Sequence, residues 1–206
     1  MRACPAREPA GYLNAMQNND ADNDLPILET ARLRLRPLCH DDAADIFQYA
    51  GDPRVTEFLP WQPHKSLDDT HKFIETTLNH QEWPDLAPWG IEHKADEKII
   101  GACGFHHWHL EHARAELGYV LAHRYWGNGY MTEAVRAVIS YGFDEMLLNR
   151  IEALCRVPNV ASARVLEKSG LKFEGVLQQY MFANGAYHDY KIYGILRDGQ
   201  GSGKAE

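Results

Sequence analysis

The order of elements in these 206 residues predicts an α/β domain of the α+β kind, with three layers and a mixed, mostly antiparallel central sheet. Three observations predict it. Strand patterns at 88–93, 98–107 and 114–121, the first two joined through the Ala95-Asp96-Glu97 turn, read as an antiparallel meander. The last of these strands runs through Gly127 and Gly129 into an amphipathic helix, which supplies a crossover. Asn184-Gly185, a residue pair suited to a two-residue hairpin turn, joins the closing strands. The full order is β-α-α-β-β-β-α-β-α-β-β.

Each element has a local reason. Leu33 and Leu35 alternate with Arg32, Arg34 and Arg36, which suits a first strand with one wet face, ended by Pro37. Asp41 is placed to cap a short helix whose Ala43, Ile46, Phe47 and Ala50 recur at helical spacing before Gly51. Ser66 with Asp69 resembles a capping box for a second helix, Leu67 to about His80. Between the two lie Phe58, Leu59, Pro60 and Trp61. After the glycines, Met131, Ala134, Val135, Val138 and Ile139 fall at i, i+3, i+4, i+7 and i+8, one apolar stripe in a helix reaching about Glu145. A strand at 151–156 and a short helix at 160–168, closed by Gly170, complete the chain before the hairpin.

A composition of 45% hydrophobic and 11% aromatic residues is globular, and the length suits one domain, expected over 27–197 with flexible tails at 1–26 and 198–206. No apolar run approaches a membrane span and the start lacks the apolar core of a signal peptide, so a cytoplasmic protein with no membrane partner is expected. Cys4, Cys39, Cys103 and Cys155 form no C-x-x-C pair and read as free thiols. A net charge of −8 argues against direct nucleic-acid binding and favours a cationic partner such as an amine.

The segment Glu116 to Val135 is the most informative. Gly127 and Gly129 free the backbone to approach a ligand, and the helix that follows offers unpaired N–H groups and the positive end of its dipole, a cradle for a pyrophosphate. With Gly at about 7% of residues, G-x-G alone is expected roughly once in a chain of this size. Arg124 at its position lowers the accidental expectation to about one in twenty chains, and strand before with helix after lowers it further. The segment is not a Walker loop, because no Lys-Ser or Lys-Thr follows the last glycine. Thr132 stands where the dinucleotide fingerprint needs a third glycine or alanine.

The pattern Arg124-x-x-Gly127-x-Gly129 resembles the acetyl-CoA signature R/Q-x-x-G-x-G/A of the GNAT acetyltransferase superfamily. Thr30 to Pro37 (T-A-R-L-R-L-R-P), Asn159 to Ser162 (N-x-x-S) and Asn184 to Tyr190 (N-G-A-Y-H-D-Y) resemble its RimJ/RimL-type branch, whose named members acetylate protein N-termini. The resemblance covers about residues 27 to 197 and implies a GNAT-like fold. It implies acetyl-CoA as cosubstrate, with Arg124, Gly127, Asn128, Gly129, Tyr130 and Met131 at its diphosphate. It also implies that the fourth and fifth strands of that fold splay, so that backbone near Tyr119, Val120 and Leu121 pairs with the pantetheine arm. Asn159 would contact the same arm.

Acetyl transfer to an amine needs a deprotonated nucleophile, a polarised carbonyl and an optional proton for the departing thiolate. Glu116 shares a strand face with Gly118 and Val120 and takes the family's general-base position; the alternative is a salt-bridged rim residue. The tyrosine that many members use as acid is replaced by Leu166, ahead of Glu167. Ser162 is then the candidate donor, and with Asn159 it equally suits a helix cap. Trp61, in a Pro-flanked irregular segment, and Tyr180 are candidates for the acceptor cleft. Trp89, Trp108 and Phe182 are weighed there too, against a place in the core. Trp126 would shield adenine or anchor the turn. His106, His107, His109 and His112 lack a carboxylate or cysteine at a familiar spacing, so a solvated strand end is expected and no metal.

The function expected is acetyl-CoA-dependent N-acetylation of a primary amine, a protein α-amino group first, by direct attack in a ternary complex. A polyamine, amino acid or antibiotic is the alternative acceptor, and a non-catalytic acyl-CoA sensor the alternative class. Monomer and homodimer are both compatible with the sequence.

Overall fold

The structure, a computed structural model, describes residues 25–79 and 88–197. Nearly all of both expected tails, Cys4 and the expected helix end at His80 lie outside the described residues. Among the described residues eight strands form one sheet: β1 (Leu28–Glu29), β2 (Leu33–Arg36), β3 (Trp89–His93), β4 (Lys98–His109), β5 (Arg114–Leu121), β6 (Arg150–Arg156), β7 (Lys172–Ala183) and β8 (Ala186–Leu196). Their spatial order is β1-β2-β3-β4-β5-β6-β8-β7, with every neighbour antiparallel except the β5/β6 pair. The helices are α1 (Ala43–Ala50), α2 (Pro53–Thr56), α3 (Leu67–Asn79), α4 (Tyr130–Asp144) and α5 (Val160–Lys168).

The expected order is present, with two additions. β1 is only two residues long and α2 only four, too short to leave a periodic signal. The three layers follow from which side chains each face buries. On one side Leu33, Leu35, Trp89 and Ile91 of the sheet pack with Val135 and Val138 from the stripe of α4. On the other, Ile46 and Tyr49 of α1 and Ile74 of α3 close over Ile99 of β4. Asn184 and Gly185 both have positive φ, 53° and 82°, as a type I′ turn requires, so the expected hairpin forms there. The Ser66/Asp69 box forms as well. Asp69 N–H donates to Ser66 Oγ at 3.3 Å and Ser66 N–H to Asp69 Oδ2 at 3.2 Å.

The entry to α1 differs from expectation. Asp42, not Asp41, organises it: Arg36 at the end of β2 donates from Nη1 and Nη2 to the two Asp42 oxygens at 2.9 and 2.8 Å, and Cys39 N–H donates at 2.8 Å. Arg36 also reaches Glu92 on β3 at 2.7 Å, so one guanidinium joins the sheet to the first helix. Burial raises the Asp42 pKa, but Arg36 and the Cys39 amide outweigh it and hold the carboxyl below the usual range.

A group whose folded pKa is depressed adds stability above its unfolded pKa of about 3.9, and that stability is lost as pH falls through the folded value. Asp42→Asn should therefore cost about 2 kcal/mol at pH 7 in chemical denaturation. The gap from the parent should shrink below about pH 4.

Candidate active site

The site begins where the sheet opens. Only Arg114–Glu116 of β5 pair with Arg150–Glu152 of β6, although β5 continues to Leu121 and β6 to Arg156. Past that point β5 stays with β4, β6 stays with β8, and among the described residues the edge of β5 from Leu117 onward has no strand neighbour. Part of this edge is satisfied locally, since Trp126 Nε1 donates to the Leu121 carbonyl at 2.8 Å. The rest borders a cleft of about 1060 Å³ that runs through the opening.

At one end of the cleft lies the glycine loop. Gly127 and Gly129 have φ of 78° and 79°, the left-handed region that disfavours side chains, and a Cβ on Gly127 would meet nothing within 4 Å. Conformation rather than crowding demands glycine there. Gly129 is the N-cap of α4 and offers no side-chain acceptor, so the first-turn N–H groups at Tyr130, Met131 and Thr132 are donors without an intrahelical partner. With the helix dipole they suit an anion carrying several phosphate oxygens.

The turn between β1 and β2 holds this loop in place. Arg32 donates from Nη1 to the Asn128 carbonyl at 3.0 Å and from Nε to Glu133 at 2.7 Å, and its guanidinium lies 4.3 Å over the Tyr130 ring. Glu133 also accepts from Thr30 Oγ1 at 2.7 Å and from Arg32 N–H at 2.9 Å. Thr30 and Arg32 thus act as a clamp on the start of α4. Their partner is about a hundred positions away in sequence, which is why no local pattern pointed to it.

Two groups face the opening from opposite sides of β5. Glu116 projects to the side of α1 and α3, where its carboxylate meets His106 Nε2 and His107 Nδ1, each at 3.3 Å. Burial raises its pKa, but the two imidazoles outweigh it and hold the carboxyl below the usual range, so it is ionised at neutral pH. Tyr119 projects to the side of α4 and α5, and its hydroxyl lies 2.8 Å from Ser162 Oγ. Burial pushes the Tyr119 phenol up, so it stays protonated. Asn159 caps α5 by accepting from Ser162 N–H at 3.0 Å.

The structure brings most of the expected residues together. Trp61, Glu116, Tyr119, Val120, Leu121, Gly127, Gly129, Tyr130, Met131, Asn159 and Ser162 all line the cleft. Three others stand elsewhere. Arg124 is exposed, 5.0 Å over the Tyr125 ring, and lines a separate hollow of about 210 Å³. The Asn128 side chain turns back to the Trp126 carbonyl at 3.0 Å. Tyr180 is half-exposed on β7 with its ring 5.9 Å from Tyr190, and it is Tyr190 that lines the cleft. Trp89 and Trp108 are buried in the core, and Phe182 is exposed at the hairpin. Trp126 lines the cleft and anchors the turn through its indole. Sequence reasoning missed Arg32 and Tyr190 as parts of the site, and it took His106 as part of a solvated strand end, whereas the structure sets it against Glu116.

Comparison with known proteins fits this geometry. Residues 32–172 match the family model described as the acetyltransferase (GNAT) domain. The chain belongs to the GNAT acetyltransferases. This acetyltransferase is 38% identical over 172 residues to the uncharacterized N-acetyltransferase YoaA of Bacillus subtilis, covering 84% of the chain and 97% of YoaA. It is 32% identical over 148 residues to the ribosomal-protein-serine acetyltransferase of Escherichia coli, covering 71% and 81%. A GNAT acetyltransferase structure from Bacillus anthracis superposes with a TM-score of 0.74 at 28% identity, covering 83% of this chain and 98% of that one. The RimJ/RimL-type resemblance holds, and acetyl-CoA is the cosubstrate.

Arg32→Ala should weaken acetyl-CoA binding about tenfold in calorimetric titration, a loss of one charge-assisted clamp, while the fold persists. Gly129→Val, forced to positive φ, should abolish measurable binding in the same titration.

Proposed function

We propose that this acetyltransferase acetylates the α-amino group of a protein N-terminus, by direct attack of the amine in a ternary complex with acetyl-CoA. One arrangement carries the reading: an ionised Glu116 on one side of the parted strands and the Ser162 hydroxyl, backed by Tyr119, on the other. Acetyl-CoA supplies the activated thioester acyl group. Its diphosphate has N–H donors at the start of α4, and its extended arm has the unpaired edge of β5.

Glu116 accepts the proton of the incoming ammonium group, directly or through one water. Trp61 and Tyr190 wall the acceptor end, where ring faces favour a cation before it loses its proton. Ser162 directs its hydroxyl at the departing sulfur. Tyr119 acts through Ser162 as a positioning residue, since its hydroxyl lies 2.8 Å from Ser162 Oγ and donates to the Ser162 carbonyl at 3.2 Å, which fixes the serine at the cleft wall. Leu166 in place of the usual tyrosine is the one feature that favours a non-catalytic sensor, and the Ser162 hydroxyl held by Tyr119 supports transfer instead. An N-terminal acceptor is favoured by the ribosomal-protein-serine acetyltransferase relative.

Thiol release should be assayed over peptides with free N-termini and over small amines. Peptides should give the higher kcat/KM; a polyamine or amino acid turned over faster than every peptide would replace this acceptor.

An α-amino group has a pKa of about 7.7–8.0 and a lysine about 10.4, so Glu116→Gln should cost about 10²-fold in kcat with peptide N-termini and more with lysine acceptors. Tyr119→Phe and Ser162→Ala should each lower kcat with little change in KM for acetyl-CoA. The double variant should be no worse than Ser162→Ala alone, because the two hydroxyls act as a unit.

A further inference from the structure

The histidine-rich end of β4 has a construction that acetyl transfer does not require. Residues adjacent in a strand face opposite sides, so His106 and His107 should not meet one partner. Here they do. The β4/β5 register shifts between His106 and His109, and His107 sits at φ 48°, a conformation that a non-glycine residue adopts at a cost. The result is that both imidazoles turn to Glu116 on the neighbouring strand, with their ring planes at 87° and centroids 5.2 Å apart. A second feature holds His106 there. A Cβ at Gly118 would fall 2.3 Å from His106 Cε1, so the ring fits beside Glu116 only because residue 118 has no side chain.

The donor atoms suit an ion. His106 Nε2 and His107 Nδ1 each lie 3.3 Å from a Glu116 oxygen, and all three donors lie within 4.8 Å of one another. Metal–ligand bonds of about 2.0–2.1 Å in a tetrahedron place ligand atoms about 3.3 Å apart, and each imidazole nitrogen already stands that far from one carboxylate oxygen, His106 from Oε1 and His107 from Oε2. Two imidazoles and one carboxylate form a borderline-soft donor set that selects zinc-like cations over calcium or magnesium, and a three-ligand site leaves a position for water. The histidine run alone lacks a carboxylate at a familiar spacing because the carboxylate comes from the next strand.

We propose that His106, His107 and Glu116 bind a divalent transition-metal ion of the zinc type, and that its presence silences acetyl transfer by occupying the carboxylate lone pairs. The first half stands on the cluster alone; the second rests on Glu116 serving as base. The ion is a reversible inhibitor and takes no part in the reaction.

The test is titration of Zn2+ into metal-stripped full-length protein without acetyl-CoA or acceptor, by calorimetry and by competition with a chromogenic chelator. One site of micromolar affinity is expected. His106→Ala and His107→Ala should each weaken it at least tenfold, and Gly118→Ala should do so by displacing the His106 ring. The pair His109→Ala and His112→Ala should leave it intact, which separates this site from the neighbouring histidines. Circular dichroism checks that each variant is folded. Affinity unchanged in both His106→Ala and His107→Ala, or no stoichiometric binding, overturns the site. Inhibition by Zn2+ with the same midpoint, reversed by EDTA, is expected; a metal-loaded protein with full turnover overturns the inhibitory role. Because binding is read without turnover, it stands or falls separately from the base assignment.

Discussion

Between Glu116 and Leu121, strand β5 keeps one neighbour and loses the other. The parallel pairing with β6 lasts three residue pairs, after which each strand follows its antiparallel partner and the sheet divides. A buried strand edge with unmatched N–H and C=O groups is costly, so a sheet opened in this way either admits water or admits a chain with amides of its own. The pantetheine arm of coenzyme A is such a chain. The opening also sorts the side chains: alternation along β5 sends Glu116 to one face and Tyr119, which holds Ser162, to the other, so a carboxylate and a hydroxyl pair reach the gap from opposite layers.

The glycine loop depends on the same opening. It follows β5 directly, and its donors lie at the mouth of the cleft that the parted strands create. Two anchors keep it there, the Trp126 indole on Leu121 and the Arg32 clamp on Asn128 and Glu133. Arg32 and Thr30 belong to the opening T-A-R-L-R-L-R-P run. In this chain that run supplies the clamp.

What was legible in the sequence is what short-range chemistry dictates. Gly127 and Gly129 announced a left-handed turn, Asn184-Gly185 a hairpin, and the Met131 to Ile139 stripe a helix against a sheet, because each signal depends on neighbours within a few residues. Elsewhere the backbone breaks its own period. In β7 the register shifts between Leu177 and Met181, with Gln179 at φ 46°, and the cleft receives Tyr190 from β8 with the Tyr180 ring in edge contact with it. The turn at His107 likewise gathers two imidazoles that alternation would separate. Arg32 escaped notice for another reason, since the Glu133 it holds is brought close only by the completed fold.

The account rests on the acyl donor occupying the parted strands. Amide hydrogen exchange with and without coenzyme A tests this most directly, because it reads the backbone groups said to do the binding. Slowed exchange confined mainly to residues 117–121 and 127–132 is the predicted result. Unchanged exchange in both segments at saturating coenzyme A, with protection appearing at another surface, would contradict it.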